Sequence, residues 1–397
     1  MSLNSTPSGE RPHIAFFGLR NAGKSSLVNA VTNQRLSVVS DTPGTTTDPV
    51  KKAMELLPLG PVVIIDTPGF DDEGALGALR VETARRVLAQ TDLAVLVVDA
   101  QKGLSAVDEE LLTMFRARKL PYLIAYNKAD TLQNRPDAGE NALFVSALTG
   151  ENLHTLKERL AAALSQPKQE KHLVSDLLSP GDTALLVIPI DKAAPKGRLI
   201  LPQQQVMRDL LDGGHAFLTC RETELRQTLC ALQTPPALVI TDSQVFFRVA
   251  QIVPETVPLT SFSILFARYK GDLPLLYAGA QKLSALLDGD TVLISEGCTH
   301  HRQCGDIGTE KLPAWIGAYC KKNVRFAFTS GGDFPEDLSA FALVVHCGGC
   351  MLNEREMQSR LERAAAQGVP VVNYGLAIAK MHGILERSVA PLKGDLA

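Results

Sequence analysis

An eight-residue stretch, Gly18-Leu-Arg-Asn-Ala-Gly23-Lys24-Ser25, constrains this chain more than any other. It follows an apolar run, HIAFF, and opens a helical pattern, SSLVNAV. That order matches G-x-x-x-x-G-K-[ST] in the strand–loop–helix context that gives the pattern its meaning. The glycines let backbone N–H groups approach a phosphate chain, and the helix N-terminus adds partial positive charge. Lys24 is then the residue that reaches the β- and γ-phosphates, and the Ser25 hydroxyl binds Mg2+. Gly18, Asn21, Ala22, Gly23 and Ser26 complete the cradle. A chain built around such a loop is α/β, with a parallel sheet whose strand ends carry the ligand.

Further motifs follow in order. Asp66-Thr-Pro-Gly69 comes after an apolar strand and places Asp66 near Mg2+ and the Gly69 N–H near the γ-phosphate. Asn127-Lys128-Ala-Asp130 follows another strand. A carboxylate at Asp130 accepts from both guanine N1–H and the exocyclic amino group, so the nucleotide is GTP, not ATP. Burying that carboxylate against adenine would forfeit a charged hydrogen bond worth ~1.5–3 kcal/mol. Ser146-Ala147-Leu148 supplies the backbone contact to guanine O6, and Pro43–Asp48 forms a switch segment with Thr46 as the Mg2+-sensing hydroxyl. Lys24, Thr46 and Gly69 are the candidate catalytic positions. Phe70 follows the Asp66–Gly69 motif where a water-orienting glutamine would serve, so intrinsic hydrolysis is expected to be slow.

Across the 397 residues, 45% are apolar and 21% charged, the balance of a globular protein. With 40 basic and 43 acidic residues the net charge is −3, which argues against nucleic acid as the main partner. No apolar run approaches the ~18 residues of a membrane span. The opening MSLNSTPSGERP has neither a basic nor an apolar leader region, so a cytoplasmic location is expected. Three α/β domains are predicted: 1–165, 172–260 and 261–397. Strands are expected at His13–Phe17, Val62–Asp66, Leu93–Asp99, Tyr122–Asn127 and Leu143–Ser146 in the first domain. Later strands are expected at 184–190, 215–219, 237–241, 291–295, 324–330, 342–346 and 370–374. A C-terminal helix is expected over Ala377–Glu386.

Five of the seven cysteines fall in the last hundred residues. Cys298-Thr-His300 is followed 45 residues later by His346-Cys347-Gly-Gly-Cys350. A C-x-x-C pair on a glycine turn lets two thiolates converge on one centre, and Cys298, at the end of another strand, supplies a third. Three thiolates suit an iron–sulfur cluster with one open iron, or a Cys3His zinc site; the spacing does not choose between them. Cys220, Cys230 and Cys320 read as buried thiols, Cys304 as a bystander, Trp315 as core and Lys51-Lys52 as a solvated face. His301 sits beside His300 and could be confused with it, while His13, His154, His172, His215 and His382 suggest no partner.

Together, the nucleotide motifs, the middle α/β segment and the C-x-H…H-C-x-x-C set resemble the HydF family of FeFe-hydrogenase maturation GTPases. The resemblance implies a 4Fe-4S cluster on Cys298, Cys347 and Cys350, with His300 and His346 as further candidate ligands. It implies a homodimer formed through the middle domain. It also implies a carrier that receives a diiron precursor from radical-SAM maturation proteins and passes it to apo FeFe-hydrogenase. Asn21 resembles the asparagine that binds K+ in the tRNA-modifying GTPases of the TrmE family. Two other functions fit parts of the chain: a zinc-bearing regulatory GTPase, and an RNA-associated GTPase of the Era/TrmE class.

Overall fold

The computed structural model describes residues 6–33, 49–69, 76–165, 171–190, 199–297 and 306–396. The chain divides into two compact units, Met1–Gln169 and Glu170–Ala397.

The first unit is built on β1 (His13–Phe17), β2 (Val50–Leu56), β3 (Gly60–Asp66), β4 (Leu93–Asp99), β5 (Tyr122–Asn127) and β6 (Ala142–Phe144). Its helices are α1 (Lys24–Thr32), α2 (Leu76–Leu88), α3 (Ala106–Ala117) and α4 (Leu153–Leu164). Strand order is β2-β3-β1-β4-β5-β6; β2 is antiparallel to β3 and the other pairings are parallel. Side chains alternate across the pleat. Ile14, Phe16, Val62, Ile64, Val95 and Val97 join Leu27 of α1 and Leu156 and Leu160 of α4 on one face. Ala15, Phe17, Val63, Ile65, Ala94 and Leu96 meet Val87 of α2 and Leu112 and Phe115 of α3 on the other. Strands buried on both faces read as continuous apolar runs, which is why HIAFF and LAVLVV stand out in the sequence.

The second unit holds two all-parallel sheets. One, ordered β10-β9-β7-β8, comprises β7 (Thr183–Val187), β8 (Ala216–Cys220), β9 (Leu238–Thr241) and β10 (Leu259–Ser261). The other, ordered β12-β11-β13-β14, comprises β11 (Thr291–Glu296), β12 (Arg325–Ser330), β13 (Leu343–His346) and β14 (Val371–Asn373). Helices α5 (Leu201–Asp212), α6 (Leu225–Ala231), α7 (Phe246–Ile252), α8 (Phe262–Lys270) and α9 (Leu273–Gln281) are followed by α10 (Leu312–Cys320), α11 (Glu354–Ala366), α12 (Tyr374–Met381) and α13 (Leu385–Val389). One hydrophobic cluster runs through both sheets, from Leu173 to Leu392. The segments 172–260 and 261–397 therefore correspond to two sheets over a shared core, and packing marks no break between them.

Several details differ from the sequence reading. The helix expected over Ala377–Glu386 is two helices, because Gly383 turns the chain with φ 71° between them. Strand β2 is absent from the sequence expectation; Lys51 and Lys52, on its two faces, are both exposed, which breaks the apolar pattern. Cys230 is exposed rather than buried, and Cys220 and Cys320 are half-buried. Trp315 is partly buried against the core, edge-on to His382, whose ring stacks on Phe247 at 4.9 Å. His13 lies 3.8 Å from Asp92, His154 3.5 Å from Glu158, and His172 3.9 Å from Asp209. Among the described residues, no helix is long and apolar enough to cross a membrane.

Candidate functional site

Register brings the carboxyl ends of β1, β3, β4 and β5 together, Phe16 opposite Asp66 and Asp99 opposite Asn127. The nucleotide motifs lie on these ends. Gly23 caps α1 with φ 85°, and a Cβ there would come within 2.3 Å of Asn127 Nδ2, so the position requires glycine. Lys24, the first residue of α1, is buried and its Nζ donates to Gly18 O at 2.9 Å and Leu19 O at 3.0 Å. The ammonium is thus held against the carbonyls of its own loop. Ser25 Oγ donates to Asp66 Oδ2 at 2.8 Å. Asp66 Oδ1 is buried with no hydrogen-bond partner among the described residues, a lone pair left for a hydrated cation. That oxygen beside a serine hydroxyl is the hard donor set Mg2+ takes. Gly69 lies against Arg20 of the loop. Asn21 is exposed with φ 63°, and Ser26 is exposed on α1.

The Gly18–Ser25 loop is tied to the Ser146–Leu148 loop through Asn127. Its Nδ2 donates to Ala22 O at 3.0 Å, and its Oδ1 accepts from Ala147 N–H at 3.0 Å. Lys128, with φ 64°, pairs its Nζ with Asp99 Oδ2 at 2.6 Å. Burial pushes the Asp99 carboxyl up, but the Lys128 and Gln101 hydrogen bonds and nearby lysine charge bring it below its ordinary range. Ser146 Oγ donates to Asp130 Oδ1 at 2.5 Å and accepts from Thr149 N–H at 3.1 Å. Asp130 is exposed, not buried as the sequence suggests. Leu148 is 86% exposed. Thr46 and the rest of Pro43–Asp48, and Phe70, lie outside the described residues.

In the second unit, β13 ends at His346 beside Ser295 of β11. Cys347 follows at once. Its N–H donates to Ser295 O at 2.9 Å, and its Sγ accepts from Gly297 N–H at 3.0 Å and Gly349 N–H at 3.4 Å. A sulfur accepting two backbone N–H groups is the surrounding that tunes a metal-bound thiolate. Burial raises the Cys347 thiol, and the two N–H bonds and the Arg360 charge oppose that rise. Gly297 directly precedes Cys298. Cys298, His300, His301 and Cys304 lie outside the described residues; among the described residues no group of three metal-ligating side chains forms. Cys350 is half-buried.

His346 is 1% exposed and both ring nitrogens are engaged. Nε2 lies 3.0 Å from Arg360 Nη1 and Nδ1 lies 2.8 Å from Cys347 O. A guanidinium can only donate, so Nε2 accepts and Nδ1–H donates. The ring is neutral, its pKa lowered to about 3 by burial and by Arg360. In this arrangement neither nitrogen offers a lone pair to a metal. Sequence reasoning overlooked four residues here: Arg360, Lys270, Glu296 and Tyr374, the last donating to Glu296 Oε1 at 3.3 Å. The one signal for Lys270 was a cation closing the apolar helix FSILFARYK.

Residues 13–128 match the family described as 50S ribosome-binding GTPase. The fold and the ordered motifs define a P-loop GTPase domain, followed by an α/β unit with two further sheets. Residues 173–271 match the hydrogen maturase F dimerization domain, and 274–391 match the hydrogen maturase F tetramerization domain. The chain belongs to the hydrogen maturase F family. Its first domain is also similar to the tRNA modification GTPase MnmE of Nitratidesulfovibrio vulgaris (strain DP4), 35% identical over 156 residues, covering 38% of this chain and 34% of that protein. GTPase Der of Clostridium perfringens (strain SM101 / Type A) is 31% identical over 172 residues, 41% of this chain and 39% of that one. The matched stretch thus spans little more than a third of these curated relatives. A crystal structure of Era from Aquifex aeolicus bound to GDP and aluminium fluoride aligns at 18% identity and TM-score 0.35, over 53% of this chain and 91% of that chain.

Proposed function

We propose that this protein is a GTP-hydrolysing scaffold that holds a 4Fe-4S cluster and a diiron precursor and delivers the precursor to apo FeFe-hydrogenase. One observation carries the reading. In a chain of this family, a nucleotide cradle is joined to a cysteine loop whose Sγ accepts N–H bonds from Gly349 and from Gly297, the neighbour of Cys298.

In the first unit, the Gly18–Ser25 loop and Ser26 bind the phosphates of GTP, and Lys24 leaves the Gly18 and Leu19 carbonyls for the β- and γ-phosphate oxygens. Ser25, Asp66 and Thr46 hold Mg2+, which when bound offsets the charge that develops on those oxygens. Asp130 reads guanine, with Asn127, Lys128, Ser146, Ala147 and Leu148 shaping the base pocket. Gly69 offers its N–H to the γ-phosphate. Phe70 cannot orient water, which makes unaided turnover slow. Asn21 places K+ beside the phosphates, so hydrolysis runs faster in K+ than in Na+; equal rates in the two salts would remove this part of the reading.

In the second unit, Cys298, Cys347 and Cys350 supply three thiolates, leaving one iron position for cargo. His300 lies in the same motif, and His346 supports the loop through Cys347 O. The matched dimerization segment, 173–271, fits a homodimer. The precursor comes from radical-SAM maturation proteins, as the family resemblance implies, and the absence of a C-x-x-x-C-x-x-C motif in this sequence fits a carrier. The test is anaerobic reconstitution with iron and sulfide. The wild type is expected to turn brown, and on reduction to give a cluster EPR signal. Cys298→Ser, Cys347→Ser and Cys350→Ser each lose the colour. A colourless wild type carrying stoichiometric zinc would make it a regulatory metal switch and overturn the scaffold reading.

A further inference from the structure

The loop carrying Cys347 and Cys350 is held at both ends by buried cations that belong to no sequence motif. At its N-terminal end stands Arg360 of α11, 4% exposed. Its Nη1 donates to His346 Nε2 at 3.0 Å, and Nη2 donates to Gly331 O at 2.6 Å and Glu356 Oε1 at 2.7 Å. Through this bond the imidazole is turned so that Nδ1–H holds Cys347 O. At the C-terminal end stands Lys270, the last residue of α8, 3% exposed. Its Nζ donates to Leu352 O at 2.9 Å and Cys350 O at 3.4 Å. The Gln358 amide closes the same helix end on Lys270 O at 3.1 Å and Gly271 O at 2.9 Å. Each cation lies near a phenylalanine ring, Arg360 5.2 Å from Phe334 and Lys270 5.8 Å from Phe266.

Lysine and arginine are almost never buried this deeply unless their charge is matched. Taking each from water costs several kcal/mol, which hydrogen bonds and opposite charge around the site must offset. Glu356 meets Arg360 directly. A cluster ligated by thiolates would add negative charge at the loop that both cations grip.

We propose that Lys270 and Arg360 are positioning cations that fix the span from Cys347 to Cys350 and place positive charge behind the sulfur ligands of an anionic metal cluster. The proposal rests on the cluster reading above. Positive charge favours the more negative, reduced cluster, so its removal lowers the reduction potential. Arg360 also keeps the His346 lone pair away from iron, which leaves the cargo position uncontested by that side chain.

The experiment uses the full chain, reconstituted anaerobically with iron and sulfide, and reads iron content and midpoint potential in Lys270→Met, Lys270→Arg and Arg360→Met. Held at the wild-type midpoint, both methionine variants are expected to shift the reduced-to-oxidised ratio about tenfold toward oxidised, or ~59 mV for one electron. Lys270→Arg, which keeps the charge, is expected to return the potential to the wild-type value. Lys270→Met reads the charge alone, and Arg360→Met gives a second reading in a variant that also frees His346 Nε2, so one insoluble variant does not remove the test. Wild-type potentials in the methionine variants, or the same fall in Lys270→Arg, would overturn the proposal while leaving the cluster reading intact. A wild type that takes up no cluster would overturn both.

Discussion

Single residues do most of the chemical selection in the first unit. Asp130 is exposed and hydrogen-bonded by Ser146, and under the proposed function its carboxylate reads the guanine edge. Asp130→Asn replaces an acceptor pair with one acceptor and one donor. The guanine amino group then faces an N–H, whereas a base with a carbonyl at that carbon, xanthine, is matched. GTP affinity is expected to fall by roughly 10- to 100-fold, the loss of one charged hydrogen bond, while xanthosine triphosphate gains. Competition binding with the two nucleotides checks this, and an unchanged preference would place guanine recognition elsewhere. Asn127 has a different part: its amide joins the phosphate loop at Ala22 to the base loop at Ala147, so it organises the pocket from within.

At the scale of elements, local signals and packing contribute unequally. Helix α3 has a capping box: Ser105 Oγ accepts from Asp108 N–H at 3.2 Å, and Asp108 Oδ2 accepts from Ser105 N–H at 3.0 Å. The helix then buries Leu111, Leu112 and Phe115 on the sheet. Ser105→Ala is expected to destabilise the first unit by ~1 kcal/mol, read as a lower urea midpoint with the denaturant slope unchanged. A shift within error would mean that the buried face alone sets α3. Edge strands behave differently. Strand β2 shows lysines to solvent and lacks the apolar run that identifies a central strand, whereas the edge strands β8 and β12 keep a legible apolar run although none of their residues is fully buried. Charged residues on an exposed edge also discourage unwanted strand pairing.

At the scale of the whole second unit, Arg268 gathers three distant pieces of chain. It forms a bidentate pair with Asp176 near the start, sits on α8 in the middle, and donates from Nε to Asp395 Oδ2 at 2.8 Å near the end. Burial pushes the Asp176 carboxyl up, but the Arg268 hydrogen bonds and charge outweigh it and hold the group below its usual range. A depressed carboxyl adds stability above its unfolded pKa, ~3.9, and that stability is lost as pH falls through the lower folded value. Urea midpoints measured from pH ~6 downward should therefore fall more steeply below pH ~4 in wild type than in Asp176→Asn. Parallel curves would show that the pair contributes nothing to folding.

Sequence alone determined the nucleotide chemistry, because a phosphate cradle is local: one apolar strand, one glycine loop and one helix start. It also determined the central strands, whose apolar runs follow from burial on both faces. The cysteine motif was legible as a pattern, but its surroundings were not. Gly297 meets Cys347, Lys270 meets Leu352 and Arg360 meets His346 only because β11 and β13 are neighbours with α8 and α11 packed nearby. Periodicity reports which face of an element is apolar. It carries no information on which element lies alongside, so the burial of two cations and the engagement of both His346 nitrogens were decided by the tertiary structure.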